Sequence, residues 1–392
     1  MQQLNPYPFA RLRALMRDVA APENLQPIML QIGEPKHATP KVIQDALIEH
    51  LDGLAKYPAS KGIDALREAC SDWLWRRYDV KVDAQTQILP VNGSREALFA
   101  FVQVVVDATA SEKPVVISPN PFYQIYEGAT FLAGGEVVYV NCETPDFMPN
   151  WSSIDETTWQ KTQLVFVCSP GNPSGAVMQL SHWQELFALQ DQYGFVIASD
   201  ECYSEIYFGC EKPLGSLQAA SMLGRSWDNL VMFTSLSKRS NVPGLRSGFV
   251  AGDAKWMEAF LEYRTYHGSA MSLPVQHASI AAWNDEAHVA ENRALYQSKF
   301  EQVVAILQDA YEVSIPDASF YLWLKVPDGN DAQFTQQLWQ QQAVQVLPGH
   351  LLARETAHGN PGAGYVRIAL VASVQECVEA AKRLVAFAKA FD

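Results

Sequence analysis

From about residue 86 to residue 252 the chain carries seven short β-rich runs: QILPV, PVVIS, EVVYV, LVFVCSP, GFVIASD, LVMFTS and SGFVAG. Several are apolar on both faces and end in Ser, Pro, Asp or Gly. A strand wetted on one side alternates polar and apolar residues, so unbroken apolar runs require cover on both faces. The helical pattern REALFAFVQVVVDA follows the first run, and LSHWQELFALQDQYG lies between the fourth and fifth. This alternation predicts a doubly wound α/β domain whose ligands sit at the carboxyl ends of the strands.

The last third changes character. ENRALYQSKFEQVVAILQDA reads as a long amphipathic helix; strand-like SFYLWLKV, AVQVLP and GYVRIALV follow, and CVEAAKRLVAFAKAFD closes the chain as a helix. At 392 residues the chain exceeds the usual size of one core. We expect a large domain over residues 46–290, a smaller α+β domain over 291–392, and an N-terminal arm over 1–45 that joins the small domain. Without a long linker, the two should pack closely around a cleft.

The net charge of −14 argues against an electrostatic hold on nucleic acid or an anionic membrane. The six cysteines, Cys70, Cys142, Cys168, Cys202, Cys210 and Cys377, show no CxxC spacing and fit thiols in a reducing compartment. No HExxH occurs, so no metal is expected. The N-terminus lacks a charged-then-apolar signal pattern, and ALFAFVQVVV is too short to span a bilayer. A cytoplasmic protein is the expectation. No GxGxxG follows a strand-like run, which disfavours a dinucleotide enzyme.

Four strand-end segments hold unusual polar residues. PVNGSREALF runs from a strand into a helix through Gly93-Ser94-Arg95, where free N–H groups suit a phosphate; an ordinary helix start reads the same way. VFVCSPGNPSGAV holds Asn172, which is also a common turn residue. FVIASDECYSEIY ends a buried strand on Asp200, with Tyr203 three residues on; a buried acid is costly without a positive partner. TSLSKRSNVPGLRSGF places Lys238 beyond Ser235 and Ser237 and eight residues before Arg246. A desolvated lysine there becomes a nucleophilic amine, whereas a solvated loop lysine is the plain alternative.

Together these parts describe a pyridoxal 5′-phosphate site. SLSKRSNVPGLRSG, IGEPKHATP, KYPASKGIDALREA, NGSREAL, SPGNPSG, SDECY and GYVRIAL resemble, in order, the motifs of the class I/II aminotransferases of fold type I. Ser247 departs slightly, since an aliphatic residue is more usual there. The resemblance covers nearly the whole chain and implies a mostly parallel seven-stranded sheet. It implies that Lys238 carries the cofactor as a Schiff base and shuttles the proton, and that Asp200 keeps the ring nitrogen protonated. Asn172 and Tyr203 would bind the ring oxygen. Gly93, Ser94, Arg95, Ser235, Ser237 and Arg246 would surround the phosphate, and Tyr123, rather than Phe122, would stack on the ring. Tyr57 would reach the phosphate of a neighbouring subunit, implying a homodimer with shared sites. Arg367 would grip the substrate carboxylate, and Gly33 would fold over the substrate.

NPFYQIYEG, SDECYSEIYF, YRTYHGSAMSLPVQ and AAWNDEAHVAENRALY resemble the bacterial N-succinyldiaminopimelate aminotransferases. That resemblance implies transfer between glutamate and a succinylated keto acid, N-succinyl-2-amino-6-oxopimelate. Its distal carboxylates call for extra cationic groups, for which Lys36, His37, Lys61, Arg95 and Arg239 are candidates; a solvated surface charge is the plain reading of each. Acetylated or simple amino-acid substrates, or a lyase on the same fold, are the alternatives. A sensor domain is disfavoured, because the resemblance begins near residue 1 and leaves no room for a DNA-binding module.

Overall fold

The computed structural model describes residues 4–209 and 211–389; Cys210, Met1–Gln3 and the end of the closing run, Ala390–Asp392, lie outside them. In chain order the first nine strands are β1 (Ile28–Met29), β2 (Ile88–Val91), β3 (Val115–Asn120), β4 (Glu136–Glu143), β5 (Met148–Pro149), β6 (Thr162–Cys168), β7 (Val196–Asp200), β8 (Leu230–Ser235) and β9 (Gly248–Gly252). All seven apolar runs are therefore strands, and they share one sheet in the order β2-β9-β8-β7-β6-β3-β4-β5. Pairing is parallel from β8 across to β4. β9 runs antiparallel to both neighbours. The eighth strand, β5, turns back on β4 over two residues, too few to leave a periodic signal.

Strand alternation divides the core. β6 sends Val165 and Val167 to one face and Leu164 and Phe166 to the other; β7 sends Ile197 to the first and Val196 and Ala198 to the second. Trp73, Trp183 and Trp283 fill the first layer. The second is closed by the helix Ser94–Val105, whose Ala97, Leu98, Phe101, Val102 and Val105 form its buried stripe. Each fully buried large side chain of this kind stabilises by about 1.5–3 kcal/mol relative to exposure, so the unbroken apolar runs require both layers.

A second core lies around β10 (Tyr321–Lys325), β11 (Val344–Gln345), β12 (Leu347–Pro348) and β13 (Tyr365–Ala369). β13 pairs antiparallel with β10 and β12, and β1 pairs in parallel with β11. Ile28 and Leu30 thereby enter this core beside Phe300, Leu338, Val366 and Leu384. The helix Ala287–Leu307 runs without a break across residue 290. Its later turns supply Phe300, Val303, Val304 and Leu307 to the second core, while His288 and Asn292 in its early turns meet the segment after β8.

The chain leaves β3 for β4 on one side and returns to β6 on the other, so the strand order reverses between β3 and β6. A crevice opens at such a reversal, beyond the carboxyl ends of the strands.

Candidate active site

A cavity of about 470 Å³ occupies that position, bounded by strand ends of the large sheet, the N-terminal segment and β13. Lys238 enters it from the helical turn Leu236–Arg239 that continues β8. Its Nζ donates to the Gly33 carbonyl at 2.7 Å and lies 5.1 Å from the centroid of the Phe320 ring. Burial pushes this amine down to about 8; the charges of Arg367 and Arg95 act in the same direction, and Cys202 and Glu34 oppose them. The N-terminal segment and the Phe320 ring, packed against the lysine head, contribute to this by removing water from it.

Asp200 ends β7 and is buried. One of its oxygens accepts from the Tyr126 hydroxyl at 2.8 Å and the other from the Cys202 N–H at 3.2 Å. Burial pushes its pKa up, and those bonds pull it back. Among the described residues no lysine or arginine hydrogen-bonds this carboxylate. A buried acid bordering a cavity without a cationic side chain against it suits a cationic guest.

Arg367 lies mid-strand in β13 with its head buried at the cavity wall. Nη1 donates to Asn172 Oδ1 and Nη2 to the Gln31 carbonyl, both at 3.0 Å, while the buried Nε has no partner. The Tyr203 hydroxyl lies 3.1 Å from that of Tyr321, whose ring packs under Arg367 at 4.3 Å. Gly33 passes so close to this tyrosine that a Cβ there would collide with its hydroxyl.

At another part of the cavity wall, Ser94 opens its helix, and Ser235, Ser237 and Arg246 line the space with it. Gly93 lies just before the helix with φ +84° and ψ 155°, and a Cβ on it would collide with the Arg246 guanidinium. Cys202 Sγ sits among the hydroxyls, 3.0 Å from Ser94 Oγ and 3.7 Å from Ser235 Oγ. Arg95 Nε donates to the Tyr123 hydroxyl at 2.7 Å, and both line the cavity. Phe122 is buried against Tyr139 and Arg354, so of the two adjacent aromatics it is Tyr123 that lines the cavity.

Other candidates lie elsewhere. Lys36 is exposed and does not line the cavity on this chain; its charge acts on Lys299, Glu376 and Cys377. Lys61 is outside as well, with its carbonyl accepting from Arg67. Arg239 is buried, donating to the Ala282 carbonyl and to Glu286 at 2.7 Å each beneath the Trp283 ring, so it anchors the lysine turn. His37 bonds Asn292 and Lys299. Of the five cations considered for distal carboxylates, only Arg95 reaches the cavity; proximity in sequence to a motif does not fix which way a side chain points. Tyr57 is fully exposed on this chain, at 104 %. The reading of the sequence missed Tyr126, Tyr321 and Glu34: the tyrosines sit inside ordinary apolar patterns, and Glu34 adjoins Gly33 without any spacing signal. Ser247, the unusual residue of the lysine segment, is satisfied by Ser279 Oγ at 2.7 Å.

Residues 26–384 match the family model described as aminotransferase class I and II. The chain belongs to that family. It is 33 % identical over 390 residues to the LL-diaminopimelate aminotransferase of Desulforudis audaxviator, covering 98 % of this chain and 96 % of the relative. It is 32 % identical to that of Aquifex aeolicus, covering 98 % and 97 %. Among solved structures, an aminotransferase from Neisseria meningitidis shares 64 % identity with a TM-score of 0.97 over 98 % of each chain. One from Helicobacter pylori shares 34 % with a TM-score of 0.90, covering 98 % and 99 %. Class I and II aminotransferases depend on pyridoxal 5′-phosphate, and so does this one. The cavity fits that group: it offers a helix N-terminus with hydroxyls and an arginine for a phosphate, and a buried acid for a cationic ring nitrogen. Among the described residues no three His, Cys, Asp or Glu side chains could hold a metal ion. None of their helices is long and apolar enough to cross a membrane.

Proposed function

We propose that this aminotransferase transfers an amino group between glutamate and N-succinyl-2-amino-6-oxopimelate in diaminopimelate and lysine formation. The observation that carries transamination is the placement of Lys238, Asp200 and Arg367 on one cavity, with the lysine amine pushed down to about 8. In this reading Ser94, the amides of Gly93–Arg95, Ser235, Ser237 and Arg246 hold the cofactor phosphate. Asp200 holds the ring nitrogen, Asn172 and Tyr203 the ring oxygen, and Tyr123 the ring face. When bound, the cofactor supplies an aldehyde that condenses with amines and a protonated ring that draws electrons from the substrate Cα.

Arg367 orients the substrate through its α-carboxylate, for which the free Nε is one donor. Gly33 covers the substrate with the N-terminal segment and excludes water. With the cofactor bound, Lys238, whose amine burial pushes down to about 8, would accept the proton from the substrate Cα and hold it for return. Arg95, with its Nε fixed by Tyr123, is the chain's own candidate for a distal carboxylate. The same reading makes the enzyme a cytoplasmic homodimer, with Tyr57 presented to the partner's cofactor. A second reading, direct use of LL-diaminopimelate, is favoured by the names of relatives 33 % and 32 % identical and by Glu34 on the cavity wall, an acid suited to a distal ammonium.

Purified protein with cofactor and glutamate should form 2-oxoglutarate fastest with the succinylated keto acid, against its acetylated counterpart and against LL-diaminopimelate assayed in reverse with 2-oxoglutarate. Faster turnover of LL-diaminopimelate would replace the first reading by the second. Release of pyruvate and ammonia would instead identify a lyase. Borohydride trapping and peptide mapping should label Lys238; another labelled lysine would overturn the site.

A further inference from the structure

A buried polar chain joins the N-terminal strap, residues 33–39, to the peptide that carries Lys238. Asn292 Nδ2 donates to the Lys238 carbonyl at 3.2 Å and to the Arg239 carbonyl at 3.3 Å. Carbonyls only accept, so the amide orientation is fixed and Oδ1 faces the other way. There it accepts from Asn241 Nδ2 at 2.7 Å and meets His37 Nδ1 at 2.8 Å. His37 Nδ1 must then carry the hydrogen, which leaves Nε2 as an acceptor. Nε2 meets Lys299 Nζ at 2.6 Å. Lys299 is itself buried, also donates to the Leu370 carbonyl at 3.3 Å, and lies 4.9 Å from the Tyr296 ring centroid. His37 packs on the same ring at 4.5 Å.

The strap touches the lysine segment at two further points. The Gly33 carbonyl accepts from Lys238 Nζ, and Thr39 Oγ1 donates to the Asn241 carbonyl at 3.1 Å. The first of these bonds needs the free amine of Lys238, so it cannot hold the strap once that amine is bound to the cofactor. His37 is then the central tie between the strap, the lysine turn and the second core.

We propose that His37 is a positioning residue: in its neutral form it pins the strap over the cavity to the lysine turn through Asn292 and to the second core through Lys299, and its protonation releases the pin. A hydrogen on Nε2 would point at the Lys299 ammonium, and the two cations would separate. The other charged or titratable groups near this pair are Lys36, Glu376 and Cys377, which act on Lys299, and Tyr296, whose ring packs on both and whose hydroxyl burial keeps protonated. Burial holds the His37 pKa below the ordinary histidine value, opposed by the Asn292 bond and aided by Lys299, so the neutral form prevails at neutral pH. Lys299 is pushed down to about 8 by burial, which leaves it mostly charged across the acid range where His37 takes its proton.

The proposal rests on Lys238 being the cofactor lysine, and its test has an arm independent of activity. Hydrogen exchange of the amides in residues 33–39 and 238–242, corrected for intrinsic rates, should quicken together as the native protein is acidified through and below the histidine range. His37→Gln, which cannot take the proton, should abolish that dependence. In kinetics the native KM for glutamate should rise about 10-fold over the same range with a smaller change in kcat, the size expected for losing one hydrogen bond to a charged group. His37→Gln should flatten that rise. Equal acid dependence in native and variant protein would overturn the proposal. Should His37→Gln fail to fold by circular dichroism, Lys299→Met decides: with no facing cation to separate from, the acid-driven quickening of exchange must vanish, and an acid dependence equal to the native one overturns the proposal. An inactive protein with the coupled exchange intact would count against the proposed function and not against the pin.

Discussion

An amine buried near other cations holds its proton weakly, and Lys238 is such an amine: the N-terminal segment and the Phe320 ring shield it from water, and Arg367 and Arg95 share its cavity. The value of about 8 against an ordinary 10.5 can be measured directly. Acylation of Lys238 in cofactor-free protein should rise with pH to a plateau with a midpoint near 8, because only the neutral amine attacks. Below that midpoint the rate should fall about tenfold per pH unit. A midpoint near 10.5, read by mass spectrometry of the labelled peptide, would show that the lysine is solvated. That Lys238, Asp200, Asn172, Tyr203 and Arg246 would border one cavity was legible in the sequence because their residue types stand at strand ends in a recognisable order. Arg239 was not assignable: whether an arginine in a polar loop faces a ligand or two tryptophans depends on a helix more than 40 positions away.

At the scale of elements, the turn from β2 into the helix Ser94–Val105 carries the constraint. Gly93 adopts a backbone conformation that residues with a Cβ avoid, at a cost of about 1–3 kcal/mol, and its missing Cβ makes room for Arg246. Gly93→Ala should therefore weaken cofactor affinity by about 5- to 150-fold, the equivalent of that cost, with the large core intact. Fluorescence titration with pyridoxal 5′-phosphate, beside an unchanged far-ultraviolet spectrum, would check this; unaltered affinity would show that the turn tolerates the methyl group. Six of the seven long strands were legible because burial on both faces leaves a run of apolar residues that no amphipathic surface needs; β4, half-buried, was legible from its β-branched residues. β1 and β5 were not, because two residues are too short for periodicity and their pairing is decided by neighbouring chain; AVQVLP read as one strand-like run and holds the short strands β11 and β12.

At the scale of the whole molecule, Tyr57 stands fully exposed near Leu51 and Leu54, both also exposed. If the chain pairs as proposed, sedimentation should give a dimer, and Tyr57→Phe should lower cofactor affinity about 10-fold, one hydrogen bond to a charged group, without lowering the midpoint of unfolding. A monomer with full cofactor affinity would remove the shared site. The sequence by itself determined the strands, the two kinds of core and the chemical types grouped at the strand ends, because periodicity and local motif order are properties of neighbouring residues. Only the tertiary structure decided which side chains share the cavity. Gly33 and Lys238 meet across 205 positions, and Asn172 and Arg367 across 195. Such meetings depend on how the N-terminal segment and β13 pack over the large sheet, which sets side-chain direction and the exclusion of water. It was that packing which took Lys36, Lys61 and Arg239 out of the site and left Arg95 in it.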